Sequence, residues 1–326
     1  MKDVGIVGVP YSGKTTLFTA LTRTGSAGGR SNQAVVDVPD ERVTVLAQQE
    51  SSRKQVHAKV RFVDVPGGLT AQGIAEYRQT DALCLVVRAY GEATDPAGEL
   101  ANLEAELLLN DLTSIESSLD KMRKKARSDK AAALELATIE RAHEMLDAER
   151  PLREGTWDDA DLKVLRGYGA LTLKPWIVVA NIEEGGELPE GLPDGALAVS
   201  ASLEAEVAGM EEGEAAELLA GFGVEEPGLP RVIRACYTAL DLITFLTTGE
   251  DETRAWEVRR GAKAPEAAGV IHSDLERGFI RAEVVSYDDL VKSGSWANAK
   301  SEGLLRVEGK DYEVAEGDCL NIRFAV

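Results

Sequence analysis

What this 326-residue chain has little of narrows its chemistry before any motif is read. Three cysteines, Cys84, Cys236 and Cys319, stand far apart without CxxC spacing, which points away from a disulfide framework and from a zinc site. Its three histidines are equally scattered and form no metal-ligand pattern. No run approaches the roughly 20 apolar residues of a membrane helix. The chain opens directly into the strand-like VGIVGV, and the expectation is a cytoplasmic protein with no membrane partner. Positive charge is scarce as well: 36 Lys and Arg face 56 Asp and Glu, a formal charge of −20. That balance argues against DNA binding and against any nucleic-acid protein that works by bulk attraction, so RNA contact has to come from a local basic patch.

What is present is an ordinary globular composition, 44% hydrophobic, over a length sufficient for two or three domains. Short apolar runs at 3–9, 59–66 (KVRFVDVP), 82–88 (ALCLVVR), 176–181 (WIVVAN) and 196–200 (ALAVS) read as buried strands. Helical spacing of Leu17, Phe18 and Leu21 predicts a helix over 14–22. Strands alternating with helices imply an α/β fold with a doubly wound, mainly parallel sheet and ligands at the strands' carboxyl ends. The glycine- and serine-rich stretch Thr24–Arg30 reads as mobile, and 204–226, strongly acidic, as one or two exposed helices and a loop.

Between the third and fourth strands lies an insert, about 97–172, with the clearest helical periodicity in the chain. Leu108, Leu112, Ile115, Leu119 and Met122 recur at steps of four and three, as do Ala132, Leu136, Ile139, His143 and Leu146. Split by the polar RSDK at 127–130, they predict an antiparallel helical hairpin with His143 as a packing residue on the seam. Lys121, Arg123, Lys124, Lys125, Arg127 and Lys130 cluster near its turn, either as a solvated helix face or as a contact for RNA or a ribosome. From about 241 the texture changes to β-like runs between glycine turns (LITFLTTG, RAWEVRRG, GFIRAEVVS, LLRVEGKDYEV, LNIRFAV), the pattern of a small, largely β domain. The expected division is a nucleotide-binding domain of 1–96 with 173–240, the helical insert 97–172, and a C-terminal domain 241–326.

The chemistry sits in GVPYSGKT at 8–15, which satisfies GxxxxGK[ST] between a strand and a helix. The backbone N–H groups of Pro10–Thr16 (Tyr11, Ser12, Gly13, Lys14, Thr15, Thr16; Pro10 shapes the turn) would cradle phosphates. Lys14 would neutralise the β/γ oxygens, and the Thr15 hydroxyl would ligate Mg²⁺. Asp64 ends the next strand in DVPGG, matching the DxxG of P-loop GTPases; in that role Asp64 contacts Mg²⁺ through water and the Gly67 N–H senses the γ-phosphate. Where Ras-like enzymes place a glutamine to orient water stands Gly68, followed by Leu69, so intrinsic hydrolysis is expected to be slow. The base-reading NKxD of GTPases is replaced by Asn181, Ile182, Glu183 and Glu184. A longer carboxylate at Glu184 should not make the bidentate pair to guanine, while the Asn181 amide can match adenine N6 and N7. Ser200, Ala201 and Ser202 occupy the place of the loop that packs on the base. ATP is the expected substrate, with GTP left open.

With GVPYSGKT, FVDVPG, NIEE and above all ITFLTTGEDETRAWEVRRGAKAPEAAGVIHSDLERGFIRAEVVSYDDL on the page, the chain resembles the YchF family of Obg-like ATPases over nearly its whole length. The resemblance implies a P-loop ATPase with a coiled-coil insert, a C-terminal ubiquitin-like β-grasp (TGS) domain, and association with ribosomes or RNA through that domain or the basic tip. The sequence departs from the family in four places. Tyr11 stands where the family's PNVGKS has a potassium-holding asparagine. The switch I stretch, about Gly25–Pro39, is short, with Ser31 only a remote stand-in for the threonine. DVPGGLTAQG replaces DIAGLVKGAS, and GEATDPAGEL lacks the family's histidine. These departures define a divergent member in which potassium stimulation and rapid switching are not expected.

Two functions of different class remain. One is a slow ATP-preferring hydrolase that signals its nucleotide state to a ribosome or RNA; the other is a nucleotide-bound adaptor without turnover. A metabolic kinase would need an arginine-rich lid, which the sequence lacks, and would leave the C-terminal block unexplained. His272 and Arg277 in IHSDLERGF serve either packing and turn roles or a contact there.

Overall fold

The computed structural model describes residues 1–22, 32–224 and 226–325; Thr24–Arg30 and Ser31 lie outside these described residues. In chain order, β1 (Lys2–Val7), α1 (Lys14–Thr22), β2 (Asn32–Asp37), α2 (Glu41–Gln49), β3 (Gln55–Val56), β4 (Lys59–Asp64), α3 (Ala71–Tyr77) and β5 (Ala82–Ala89) lead into two long helices, α4 (Pro96–Ala126) and α5 (Lys130–Asp147). Next come α6 (Asp159–Gly167), β6 (Trp176–Ile182), β7 (Leu197–Val199), α7 (Ala201–Val207), α8 (Glu212–Gly221) and α9 (Gly228–Ala239). The chain ends with β8 (Leu242–Thr247), β9 (Thr253–Arg259), α10 (Ala264–Ile271), α11 (Ser273–Arg277), β10 (Phe279–Ser286), α12 (Tyr287–Ser293), α13 (Trp296–Ser301), β11 (Arg306–Glu308) and β12 (Asp318–Phe324). The described residues form two compact units: Lys2–Val35 with Arg61–Cys236, and Val36–Val60 with Met1 and the segment from Tyr237 onward.

In the first unit the sheet runs β2-β4-β1-β5-β6-β7, and β1, β5, β6 and β7 are parallel neighbours. Strands covered on both faces need near-continuous apolar sequence, and ALCLVV of β5 is buried throughout. Their core joins Val7, Leu83, Leu85, Val178 and Ala180 to Leu100, Leu103 and Leu107 of α4. Each of the loops after β1, β4, β5, β6 and β7 leaves the same edge of the sheet, and there the expected site residues gather.

The helical insert begins on a capped helix: Asp95 accepts the N–H of Gly98 at 2.9 Å, and Pro96 occupies the first turn, where its missing N–H costs nothing. Asp129 caps α5 by accepting from Ala131 and Ala132, so the RSDK break is both a stop and a start. Ile115, Leu119, Ile139 and Leu146 are buried between the helices, each worth about 1.5–3 kcal/mol of burial. The structure moves His143 from the expected apolar seam to its edge, half-buried with a ring nitrogen 3.4 Å from Glu116 on the facing helix.

A buried carboxylate fastens this arm to the sheet. Asp111 of α4 accepts from the N–H groups of Leu171 (3.0 Å) and Thr172 (2.8 Å), from the Thr172 hydroxyl (2.8 Å) and from the Arg78 guanidinium (3.2 Å). Arg78, the residue that ends α3, also donates to the carbonyls of Asn110, Tyr168 and Gly169. A 1% exposed charge is tolerable because both of its oxygens are satisfied.

The second unit holds a mixed sheet, β11-β10-β12-β8-β9-β3, in which β12 and β8 run parallel while β8–β9, β10–β11 and β10–β12 are antiparallel. Ala264, Ala267 and Ala268 of α10 pack on Ile243, Phe245, Val284 and Leu320, the grasp of a helix by a sheet. The unit is sheet-rich, as expected from 241, and has two further features. Four short helices interrupt the strands, too brief to show a period. The segment Val36–Val60, expected with the nucleotide-binding domain, belongs here instead: Val43, Leu46 and Ala47 bury one face of α2, and β3 pairs parallel with β9 (Gln55 with Thr253, Val56 with Arg254). Among the described residues no helix is long and apolar enough to cross a membrane.

Asp111→Ala leaves the buried Leu171 and Thr172 N–H groups and the Thr172 hydroxyl without their acceptor, and the partly buried Arg78 charge without its carboxylate. Chemical denaturation should show a loss of about 3–5 kcal/mol. A loss below about 1 kcal/mol would mean that the carboxylate does not fasten the arm.

Candidate nucleotide-binding site

The loop after β1 is shaped by close approach. A Cβ on Gly8 would meet the Val86 carbonyl at 2.6 Å, and one on Gly13 (φ +85°) would sit 2.0 Å from the Asn181 amide nitrogen. Tyr11 takes a left-handed φ of 66°, a conformation costing a non-glycine residue on the order of 1 kcal/mol. Its carbonyl accepts the Tyr90 hydroxyl at 2.6 Å, which pins the strained turn, while its ring is 84% exposed. Pro10 and Thr16 are exposed on either side; Ser12 is fully buried with no hydrogen-bond partner for its hydroxyl among the described residues. Lys14, 7% exposed, opens α1, so its ammonium and the helix's first N–H groups serve the same small volume.

Thr15 and Asp64 meet beside it. The Thr15 hydroxyl donates to Asp64 Oδ2 at 3.1 Å, and Asn32 Nδ2 reaches the same oxygen at 3.5 Å. Burial pushes the Asp64 carboxyl above its usual range, against the opposing pull of Thr15, Asn32 and the Lys14 charge. Its other oxygen, Oδ1, is buried without a hydrogen-bond partner among the described residues. A hydroxyl, a carboxylate and an orphaned buried acceptor suit Mg²⁺, which takes one or two protein oxygens and fills its shell with water and phosphate. No larger cluster of three or more His, Cys, Asp or Glu exists among the described residues.

The loop after β4 turns through two glycines with positive φ, Gly67 (84°) and Gly68 (67°). A Cβ on Gly68 would come within 2.9 Å of the Gly8 carbonyl, so a side chain here would strike the loop after β1.

Asn181, 6% exposed, bridges two loops: its Nδ2 donates to the Ser12 carbonyl and its Oδ1 accepts the Ala201 N–H, both at 3.0 Å. The sequence reading assigns this amide to an adenine edge; the structure uses one hydrogen and one lone pair of it to join the phosphate loop to α7, leaving one of each. Ile182 is nearly buried, and Glu184 is exposed with Oε1 accepting the Ser202 hydroxyl at 3.0 Å. Ser200 caps α7 and lies 3.0 Å from Ser202. Sequence reasoning missed Asn32, Tyr90 and Glu183, whose Oε1 accepts the Gly91 N–H at 2.9 Å. Tyr90 and Glu183 follow or end strands at the ligand-bearing edge, the one signal that could have singled them out.

A strand–glycine loop–helix with a buried lysine, a Thr–Asp pair and an asparagine-braced base loop on a parallel sheet defines a P-loop nucleotide-binding domain of the GTPase class. Residues 3–121 match the family model MMR_HSR1, described as 50S ribosome-binding GTPase, and residues 242–325 match YchF-GTPase_C, described as a protein of unknown function (DUF933). The chain is 38% identical to the ribosome-binding ATPase YchF of Haemophilus ducreyi over 99% of both chains. It is 32% identical to the Obg-like ATPase 1 of Oryza sativa subsp. japonica over 99% of this chain and 92% of that one. The YchF GTPase structure from Schizosaccharomyces pombe superposes with a TM-score of 0.86 at 28% identity, over 99% of this chain and 97% of that one. The chain belongs to the YchF family.

Asn181→Ala strands the Ser12 carbonyl and the Ala201 N–H in a buried setting, a cost of about 1–3 kcal/mol. The variant should melt lower and bind nucleotide roughly tenfold more weakly. Unchanged melting and calorimetric affinity would show that the bridge does not organise the loops.

Proposed function

We propose that this protein is a slow, ATP-preferring P-loop hydrolase that couples its nucleotide state to association with a ribosome or RNA. The observation that carries the slow turnover is Gly68, whose backbone leaves no room for a water-orienting side chain. Rate enhancement then rests on positioning and charge neutralisation. Lys14 sets its ammonium against the β/γ oxygens, the N–H groups of Tyr11–Thr16 hold the phosphate chain, and the Gly67 N–H meets the γ-phosphate. Mg²⁺ held by Thr15 and Asp64 would supply further neutralisation of the same oxygens.

Base choice follows from Glu184. Guanine presents two adjacent donors, N1 and N2, which require both oxygens of one carboxylate. Glu184 is longer than the aspartate of that motif and its Oε1 already accepts the Ser202 hydroxyl, an arrangement less suited to that bidentate pair, while the hydrogen and lone pair that the Asn181 amide keeps suit adenine N7 and N6. The relatives' names, ribosome-binding ATPase, support both ATP and a ribosomal partner, and with it a cytoplasmic place of action.

The basic tip offers one contact. All six cations are exposed; Arg123 and Lys125 face Glu140 and Asp129, whereas Lys121, Lys124, Arg127 and Lys130 have no carboxylate within salt-bridge distance among the described residues. They lie at the far end of the 31-residue α4, about 46 Å long, and in the turn and first residue of α5 that follow it. The β-grasp unit is the other candidate contact. His272 and Arg277 there are exposed and turned toward Asp274.

Titration of Mg-ATP and Mg-GTP as non-hydrolysable analogues should show preference for ATP in the wild type and loss of binding in Lys14→Ala. Equal affinities would remove the adenine argument. Single-turnover hydrolysis absent even with ribosomes would make the protein a nucleotide-bound adaptor. Reversing Lys124, Lys125 and Arg127 to Glu should weaken ribosome cosedimentation roughly tenfold or more at moderate salt with ATP affinity unchanged. Undiminished cosedimentation would return the cluster to a solvated helix face.

A further inference from the structure

At the sheet edge opposite the nucleotide loops, a cleft of about 600 Å³ opens between α4, the end of α5 and the start of β6. Its floor is aliphatic: Leu108 and Leu112 are half-buried, and Leu109 is 60% exposed. Trp176 forms one wall, with the Arg153 guanidinium 3.5 Å over its ring and held at 2.8 Å by Glu104. The rim is acidic. Asp147, Glu149 and Glu154 are exposed there, and neither Asp147 nor Glu149 has a cation within salt-bridge distance among the described residues; Glu154 faces Arg150 at 3.7 Å. Glu149 moreover holds a left-handed φ of 56°, just past a helix end, where glycine is the unstrained residue. Strain kept at an exposed carboxylate points to a task for that side chain.

We propose that this cleft docks a cationic–aliphatic segment of a partner protein, its Lys or Arg side chains against Asp147 and Glu149 and its apolar residues on Leu108, Leu109 and Leu112. Charge decides the class of occupant. Four carboxylates line the cleft against one guanidinium, and Glu104 already engages that guanidinium, so a nucleic-acid backbone is repelled. A purely apolar ligand would leave the rim charges unpaired. The surface does not depend on whether bound nucleotide is hydrolysed, and so goes beyond the function proposed above.

The test uses the full chain and a fluorescein-labelled, amidated peptide of lysine and leucine with its charges three and four positions apart, read by anisotropy. Asp147→Lys with Glu149→Lys, and separately Leu109→Ser, should each weaken binding about tenfold or more. Glu214→Lys with Glu217→Lys on exposed α8 makes the same change in net charge and should shift affinity less than about twofold. Glu149→Gly should melt higher yet bind the peptide more weakly, an outcome that a merely structural Glu149 would not give. Equal weakening by the α8 pair would assign binding to bulk attraction and overturn the proposal. So would undiminished binding in Leu109→Ser or Glu149→Gly, or wild-type binding of labelled oligouridylate that Leu109→Ser weakens.

Discussion

The nucleotide edge of this protein depends on the missing side chain of Gly13. A Cβ there would overlap the Asn181 amide, 2.0 Å away, and the amide needs that space to reach the Ser12 carbonyl and the Ala201 N–H together. Through this one group the loops after β1 and β7 are held to the end of β6. A phosphate cradle made of backbone N–H groups works only if it is fixed before the ligand arrives, since reorganising it would cancel the attraction. Lys14 and Thr15 follow directly from Gly13, so their positions inherit that rigidity.

Close approach also shapes the loop after β4. Gly68 lies against the Gly8 carbonyl, and both its left-handed φ and the 2.9 Å spacing exclude a side chain. The contact that brings the loop after β4 to the loop after β1 therefore leaves no room for a side chain at the position after DVPG. Asp64 shows the complementary economy. Its carboxylate is buried, destabilised as an anion and left with one free oxygen, an arrangement that is costly alone and favourable beside a cation.

Much of this was legible because it is local. GVPYSGKT, DVPGG and the apolar runs of β1, β4, β5 and β6 carry their own boundaries, and the heptads of α4 and α5 declare their facing sides. What was not legible rests on partners distant in sequence. ERVTVLAQQ reads as an amphipathic helix, but nothing in it says that its buried face belongs with strands some 200 residues later. Tyr90 is an aromatic at a strand end until the fold carries its hydroxyl to the carbonyl of Tyr11. Asn181 was found by motif, yet its bridging role required the backbones of Ser12 and Ala201 to be in place. His143 falls on the heptad seam in sequence, and only the facing helix shows its ring nitrogen 3.4 Å from Glu116.

Rigidity is unevenly distributed around the loop after β4, and this shapes how a nucleotide could be felt elsewhere. The far end of α3 is immobilised twice, by the Tyr77 hydroxyl donating to the Ile6 carbonyl at 2.9 Å and by Arg78 in the Asp111 lock. Moving that end would take the Arg78 cation away from a buried carboxylate that keeps three neutral donors, Leu171 N–H, Thr172 N–H and the Thr172 hydroxyl. The near end is different: Gly67, Gly68 and Gly73 fall within seven residues, with Pro66 and Gly67 exposed. The glycines thus gather between Asp64 and the first turn of α3, where Gly68 and Gly73 are buried by close approach, while Asp111 fastens the helical arm to the backbone before β6.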